Sequence, residues 1–174
     1  GLGGSAGTLR LVRDVLGHAR VPVVLDADAL NVFAPLRRKL PGSSPKILLP
    51  HPGEAARLLA TTTARIGADR RASVVDLATA SGGVAVLKGR GTLVCGGRRL
   101  FSNRTGNPGM ATGGSGDVLA GIVAALLAQG MAPFDAAVLG VHVHGAAGDR
   151  VAARLSEAGL CADDLPLAVA EELR

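Results

Sequence analysis

The 174-residue chain contains no Trp, no Tyr and only three Phe. A ring-lined surface for stacking single-stranded nucleic acid is therefore excluded, and the core has to be aliphatic. Cysteine is nearly absent as well. Cys95 and Cys161 lie far apart, and two thiols give neither a disulfide framework nor a zinc-ligand spacing, so two free structural thiols in a reducing compartment are expected. No apolar run approaches the length of a membrane span, and the first residues lack the charged and apolar regions of a signal peptide. The expectation is a cytoplasmic protein that engages neither membrane nor nucleic acid. Arginines supply much of the net charge of +5, but they are scattered, and Arg37-Arg38, Arg70-Arg71 and Arg98-Arg99 are the only pairs. Such a surface attracts anionic small molecules, nucleotides included, without forming a nucleic-acid footprint. The chain opens Gly1-Leu2-Gly3-Gly4-Ser5 without Met, so its start is either processed or preceded by more chain.

Apolar residues make up 48% of the chain, enough for a sizeable core. Its 25 glycines are about twice the usual share, with no collagen period. They cluster at Gly1 to Gly4, Gly89 to Gly91 and Gly106 to Gly116, where tight turns or close backbone approach to a ligand would need them. With no internal repeat, linker or low-complexity stretch, residues 1–174 read as a single domain.

Helical and apolar segments alternate. The spacing of Leu9, Val12, Leu16 and Ala19 predicts a helix over 6–19. Short apolar runs at 21–25, 46–49 and 83–87 read as buried strands. Asp28 is expected to cap a short helix through 29–33, and Pro52 to open another that runs to 59. Further helices are expected over 69–80, 115–129, 133–155 and 165–173. Segments 92–95 and 99–101 flank Gly96-Gly97 as a hairpin. Non-alternating strands between helices predict an α/β fold, with a mostly parallel sheet covered by helices on both faces.

In such sheets ligands sit beyond the carboxyl ends of the strands. The residues there are Asp26 to Asn31 after the first strand, Pro50 to Glu54 after the second and Lys88 to Thr92 after the third. After the hairpin comes Gly106 to Asp117. The last loop is the most specific. Gly113, Gly114, Ser115 and Gly116 lead into a helix start, so their N–H groups and its partial positive charge form an anion hole suited to phosphate. Asp117 in the first helical turn is the candidate general base for a substrate hydroxyl. The glycines follow neither a Walker A nor a dinucleotide pattern. Asn107 and Thr112 either position phosphate or shape turns. His142 and His144, two apart on a helix, do not share a face, and no metal ligands can be named.

A phosphate cradle late in the chain with Asp just after it resembles ribokinase-like enzymes. The resemblance becomes specific in ordered segments: Asp26-Ala27-Asp28-Ala29-Leu30-Asn31, His51-Pro52-Gly53-Glu54, Leu87-Lys88-Gly89-Arg90-Gly91-Thr92, Asn107 to Gly121, and Val141 to Asp149. These resemble the ADP/ATP-dependent NAD(P)H-hydrate dehydratases and cover nearly the whole chain. The resemblance implies repair of hydrated NADH and NADPH: an adenine nucleotide phosphorylates the ring hydroxyl, and loss of phosphate restores the cofactor. By the same resemblance, Asp117 contacts the hydrate as base. Lys88, Gly89, Arg90, Gly91, Thr92 and Gly116 bind nucleotide, and Gly3 and His51 contact the hydrate. ADP or ATP is the co-substrate, and Mg2+ is expected from phosphoryl chemistry. The family's domain begins further upstream, so the chain is expected to be its C-terminal portion. A homo-oligomer is left open. The alternatives are a small-molecule kinase of the same superfamily acting on a vitamin precursor, or an inactive nucleotide-binding remnant.

Overall fold

The computed structural model describes residues 2–174. The chain divides into two compact units. The first runs to Gly89 and adds Leu93–Phe101; the second comprises Arg90–Thr92 and Ser102–Arg174.

In the first unit, the apolar runs become β1 (Val23–Leu25), β2 (Lys46–Leu48) and β3 (Val84–Leu87). β1 pairs with β2 and β2 with β3, both parallel, with Val23 opposite Lys46 and Ile47 opposite Val84. β4 (Leu93–Gly96) runs antiparallel to β3, with Val86 opposite Val94, and β5 (Arg99–Ser102) completes the order β1-β2-β3-β4-β5. The hairpin turns at Gly97-Arg98, one residue later than expected. Every residue of β2 and β3 is buried. Successive side chains point to opposite faces, so both faces are covered, as the missing alternation predicted. Lys46 is the exception to the apolar pattern. Its Nζ donates to the carbonyls of Gly42 at 2.5 Å and Ser44 at 2.8 Å, and burial pushes its pKa down.

The helices of this unit start where capping chemistry allows. α1 (Ala6–His18) is capped by Ser5, whose Oγ accepts the Thr8 N–H at 3.1 Å, and it buries Val12 and Leu16. α2 (Asp28–Asn31) begins one residue earlier than expected and corrects the reading of Asp28 as its cap. The N-cap is Ala27, and the Asp28 carboxylate lies inside the first turn, where it accepts the Gly3 N–H at 2.9 Å. Asp26 Oδ1 accepts the Ala27 N–H at 2.8 Å, and no side chain caps α2. α3 (Pro52–Leu58) is followed by α4 (Thr63–Ala68), a helix absent from the sequence reading because six residues carry too little periodicity. α5 (Arg70–Ser81) is capped by Asp69, whose Oδ1 accepts the Ala72 N–H at 2.9 Å. Leu16, Leu25, Leu48, Leu58, Leu77 and Leu87 share one core, with Phe33 at its margin, so aliphatic burial does the work usually shared with aromatics.

The second unit is helical: α6 (Ser115–Ala128), α7 (Pro133–Leu155) and α8 (Leu165–Glu172). Val143, Ala147 and Val151 of α7 pack with Leu165, Ala168 and Val169 of α8. α6 and α7 approach closely because Gly140 has no side chain; a Cβ there would stand 2.6 Å from Val123 Cγ2. Among the described residues, no helix is long and apolar enough to cross a membrane.

Two outcomes follow. Gly140→Ala should destabilise the protein by about 1–3 kcal/mol through overpacking, and adding Val123→Ala should relieve part of that loss. Denaturant midpoints measure both; equal midpoints for wild type and Gly140→Ala would contradict the close approach. Cys95 is buried, with its pKa raised by burial, whereas Cys161 is exposed. A thiol reagent should therefore label Cys161 in the native state and Cys95 only after unfolding.

Candidate active site

Parallel strands buried on both faces can present polar groups only beyond their ends. Here the carboxyl ends of β1, β2 and β3 are laced together past the strands. The Leu49 N–H donates to the Leu25 carbonyl at 2.9 Å, and the Lys88 N–H to the Pro50 carbonyl at 2.9 Å. Asp26 and Lys88 directly follow β1 and β3, and His51 stands three residues past β2, at the same edge of the sheet. Lys88 Nζ reaches both oxygens of Asp26, at 2.7 and 2.8 Å, with side chains 19% and 14% exposed respectively. The lysine thus arrives already paired, with its charge shared with a carboxylate. The neighbouring Ala27 has φ +49°, a conformation that costs an alanine on the order of 1–3 kcal/mol and that bends the chain sharply between the two aspartates.

His51 is the N-cap of α3. Its Nδ1 accepts from the N–H groups of Gly53 at 3.0 Å and Glu54 at 3.3 Å, and its own N–H donates to Glu54 Oε2 at 2.8 Å. This reciprocal capping box fixes the ring and leaves the proton on Nε2, 3.4 Å from Glu54 Oε1. The imidazole is half exposed, whereas Glu54 is buried. Gly3 is exposed, with its N–H on Asp28. Arg70, which the sequence reading passes over, stands beneath the end of β3. Its Nη2 donates to the carbonyls of Leu87 at 3.1 Å and Lys88 at 3.4 Å, and burial lowers its pKa. Gly89 follows with φ +122°.

The remaining predicted residues belong to the second unit. Arg90 and Gly91 are exposed, and the Thr92 carbonyl accepts the Asn103 N–H at 2.8 Å. In the glycine loop, Gly114 takes φ +90° as the N-cap of α6, a backbone state that favours glycine. No side chain caps this helix. The Ser115 N–H donates to the Thr112 carbonyl at 3.4 Å, and the buried Ser115 hydroxyl pairs with His144 Nε2 at 3.3 Å. The N–H groups of Gly116 and Asp117 belong to the first turn and have no intrahelical acceptor. Gly113 and Asp117 are exposed beside them. Of the proposed cradle, therefore, Ser115 is committed to the protein, and the donors of Gly116 and Asp117 point outward.

The residues given no role by the sequence reading are Asp26 as a lysine partner, Arg70, and Asp149, which accepts the Gly106 N–H at 2.8 Å. Opposite charges at the ends of strands on either side of a central one were the available signal for the first. Nothing in the local sequence marks Arg70. Among the described residues, no group of three His, Cys, Asp or Glu is placed to hold a metal ion.

The family described as NAD(P)H-hydrate dehydratase matches residues 1–169. The chain belongs to that family. It is 49% identical over 154 residues to the ADP-dependent (S)-NAD(P)H-hydrate dehydratase of Neisseria meningitidis, covering 86% of this chain and 52% of the relative. It is 47% identical over 167 residues to the bifunctional NAD(P)H-hydrate repair enzyme of Moorella thermoacetica, covering 95% of this chain and 32% of the relative. The chain thus spans about a third to a half of these relatives. The crystal structure of the ADP/ATP-dependent NAD(P)H-hydrate dehydratase of Bacillus subtilis, co-crystallised with ATP/Mg2+ and soaked with CoA, superposes with a TM-score of 0.89 at 30% identity. That match covers 98% of this chain and 62% of the other. The architecture is the expected ribokinase-like α/β fold.

A double-mutant cycle on Lys88→Met and Asp26→Asn should return a coupling of about 1–3 kcal/mol, because each single change leaves a mostly buried charge unpaired. Additive losses of stability would show that the pair does not exist in solution.

Proposed function

We propose that the protein dehydrates hydrated NADH and NADPH at the expense of ADP or ATP. The observation that carries this reading is the start of α6, where an uncapped helix N-terminus after a glycine loop places outward N–H donors beside the exposed carboxylate of Asp117. Donors of this kind bind phosphate and stabilise charge that develops on a transferring phosphoryl group. The Asp117 carboxylate takes the proton of the ring hydroxyl. The hydroxyl oxygen then bonds to the terminal phosphorus as the bond to the nucleotide's leaving oxygen breaks. Inorganic phosphate then leaves with the electron pair of the ring C–O bond, a proton leaves the adjacent ring carbon, and the ring double bond returns.

Lys88, Gly89, Arg90, Gly91, Thr92 and Gly116 are assigned to the nucleotide, and Gly3, His51 and Asp117 to the hydrated nicotinamide nucleotide. With Lys88 paired to Asp26, the lysine would position the nucleotide through a directed ammonium rather than a bare charge. His51, held by Glu54, would offer Nε2–H as a fixed donor. Among the described residues no three acidic, His or Cys side chains form a cage, so Mg2+ would be carried on the nucleotide phosphates and touched by at most one or two carboxylates. The ion would neutralise charge on the phosphates. Residues 1–174 are read as belonging to a single domain of this enzyme, of which they form the C-terminal portion. Support also comes from relatives named as ADP-dependent and ADP/ATP-dependent NAD(P)H-hydrate dehydratases.

The test is turnover of hydrated NADH and NADPH with ADP or ATP, followed by recovery of reduced-nicotinamide absorbance. Asp117→Asn should keep its affinity for nucleotide and lose about 10²–10⁴-fold in turnover. Wild-type turnover in that variant would remove Asp117 as the base, and a stable phosphate ester as wild-type product would make the protein a kinase.

A further inference from the structure

The stretch of α7 from Val141 to Asp149 takes no part in the ligand roles above, yet it holds the segment that feeds the glycine loop. Asn103 Nδ2 donates to the Val141 carbonyl at 3.1 Å, and Thr105 Oγ1 to the His142 carbonyl at 2.9 Å. A mid-helix carbonyl has a second lone pair for such a bond. Gly145 and Gly148 make room on the same helix: a Cβ at the first would overlap Thr105, and at the second the thioether of Met110. Asp149 then accepts twice. Its Oδ2 takes the Gly106 N–H at 2.8 Å, and its Oδ1 takes Asn107 Nδ2 at 3.1 Å. The Asn107 amide passes the constraint onward, since its Oδ1 accepts the Gly109 N–H at 3.0 Å and caps the short turn Pro108–Met110.

We propose that Asp149 is a positioning residue for the loop carrying Gly113 to Asp117, acting through Gly106 and Asn107. A carboxylate is required there because both partners are donors. Asp149→Asn replaces one acceptor by an NH2 group facing the NH2 of Asn107. Rotating Asn107 to meet it would take the acceptor away from Gly109. The double variant Asp149→Asn with Asn107→Asp exchanges carboxylate and carboxamide and restores every donor–acceptor match. The kinetic part of this inference rests on the proposed role of Asp117; the loop-ordering part does not.

In the full-length protein, amide hydrogen exchange across residues 106–117 should speed up about tenfold in Asp149→Asn and return towards wild type in the double variant. Turnover of hydrated NADH should fall about 10- to 100-fold in kcat, with KM for the hydrate changed less than about threefold, and recover in the double variant. Unchanged exchange in the single variant, or a double variant no better than Asp149→Asn, overturns the proposal. Wild type without hydrate turnover refutes the proposed function, and the exchange comparison then decides the role of Asp149 by itself. If Asp149→Asn does not fold, Asn107→Asp, which sets two carboxylates face to face, provides the same comparison with the double variant.

Discussion

Parallel pairing of β1, β2 and β3 is the constraint from which the chemistry of the first unit follows. Strands covered on both faces have no exposed face on which to carry a polar side chain. Polar groups are displaced to the strand ends, and the parallel direction sends the carboxyl ends to the same edge. The hydrogen bonds from Leu49 to Leu25 and from Lys88 to Pro50 extend that registration beyond the last strand residues. Asp26 and Lys88, far apart in the chain, consequently emerge on one edge, and the salt bridge between them becomes geometrically available.

The second unit reaches a similar end by different means. Its glycine loop leads into a helix start without a side-chain cap. Gly114 permits the turn into α6, Ser115 is used up by Thr112 and His144, and the donors of Gly116 and Asp117 remain outward. Long α7 supplies both the packing surface for α8 and the ladder of carbonyls, small residues and one carboxylate that registers residues 103–110. The two functions fall on one helix because glycines at 145 and 148 serve close approach, while Val143, Ala147 and Val151 serve the core.

Much of this was legible from the letters. The three apolar runs gave the parallel strands, the bounds of α7 matched at both ends, and Pro52 marked the start of α3. The failures have definite causes. α4 is too short for periodicity to register. Asp28 has the residue type of a cap, but the helix begins one residue earlier, at Asp28 itself, and Gly3 is brought to its carboxylate by the fold. His51 is legible as a motif residue, yet its capping box with buried Glu54 gives it a structural task alongside the proposed one. Arg70 carries no local signal, since its partners are main-chain carbonyls at the end of a distant strand.

What the sequence determined by itself is therefore local and periodic: fold class, strand and helix order, the glycine loop, the family resemblance, and an aliphatic core forced by the scarcity of rings. What the tertiary structure decided is pairing. The meeting of Lys88 with Asp26, of Gly3 with Asp28, of Ser115 with His144, and of Asp149 with Gly106 and Asn107 depends on distances between residues separated by dozens of positions. Propensity and spacing act over a few residues, whereas an ion pair or hydrogen bond requires atoms within about 3 Å. Only sheet registration and helix packing bring such atoms together.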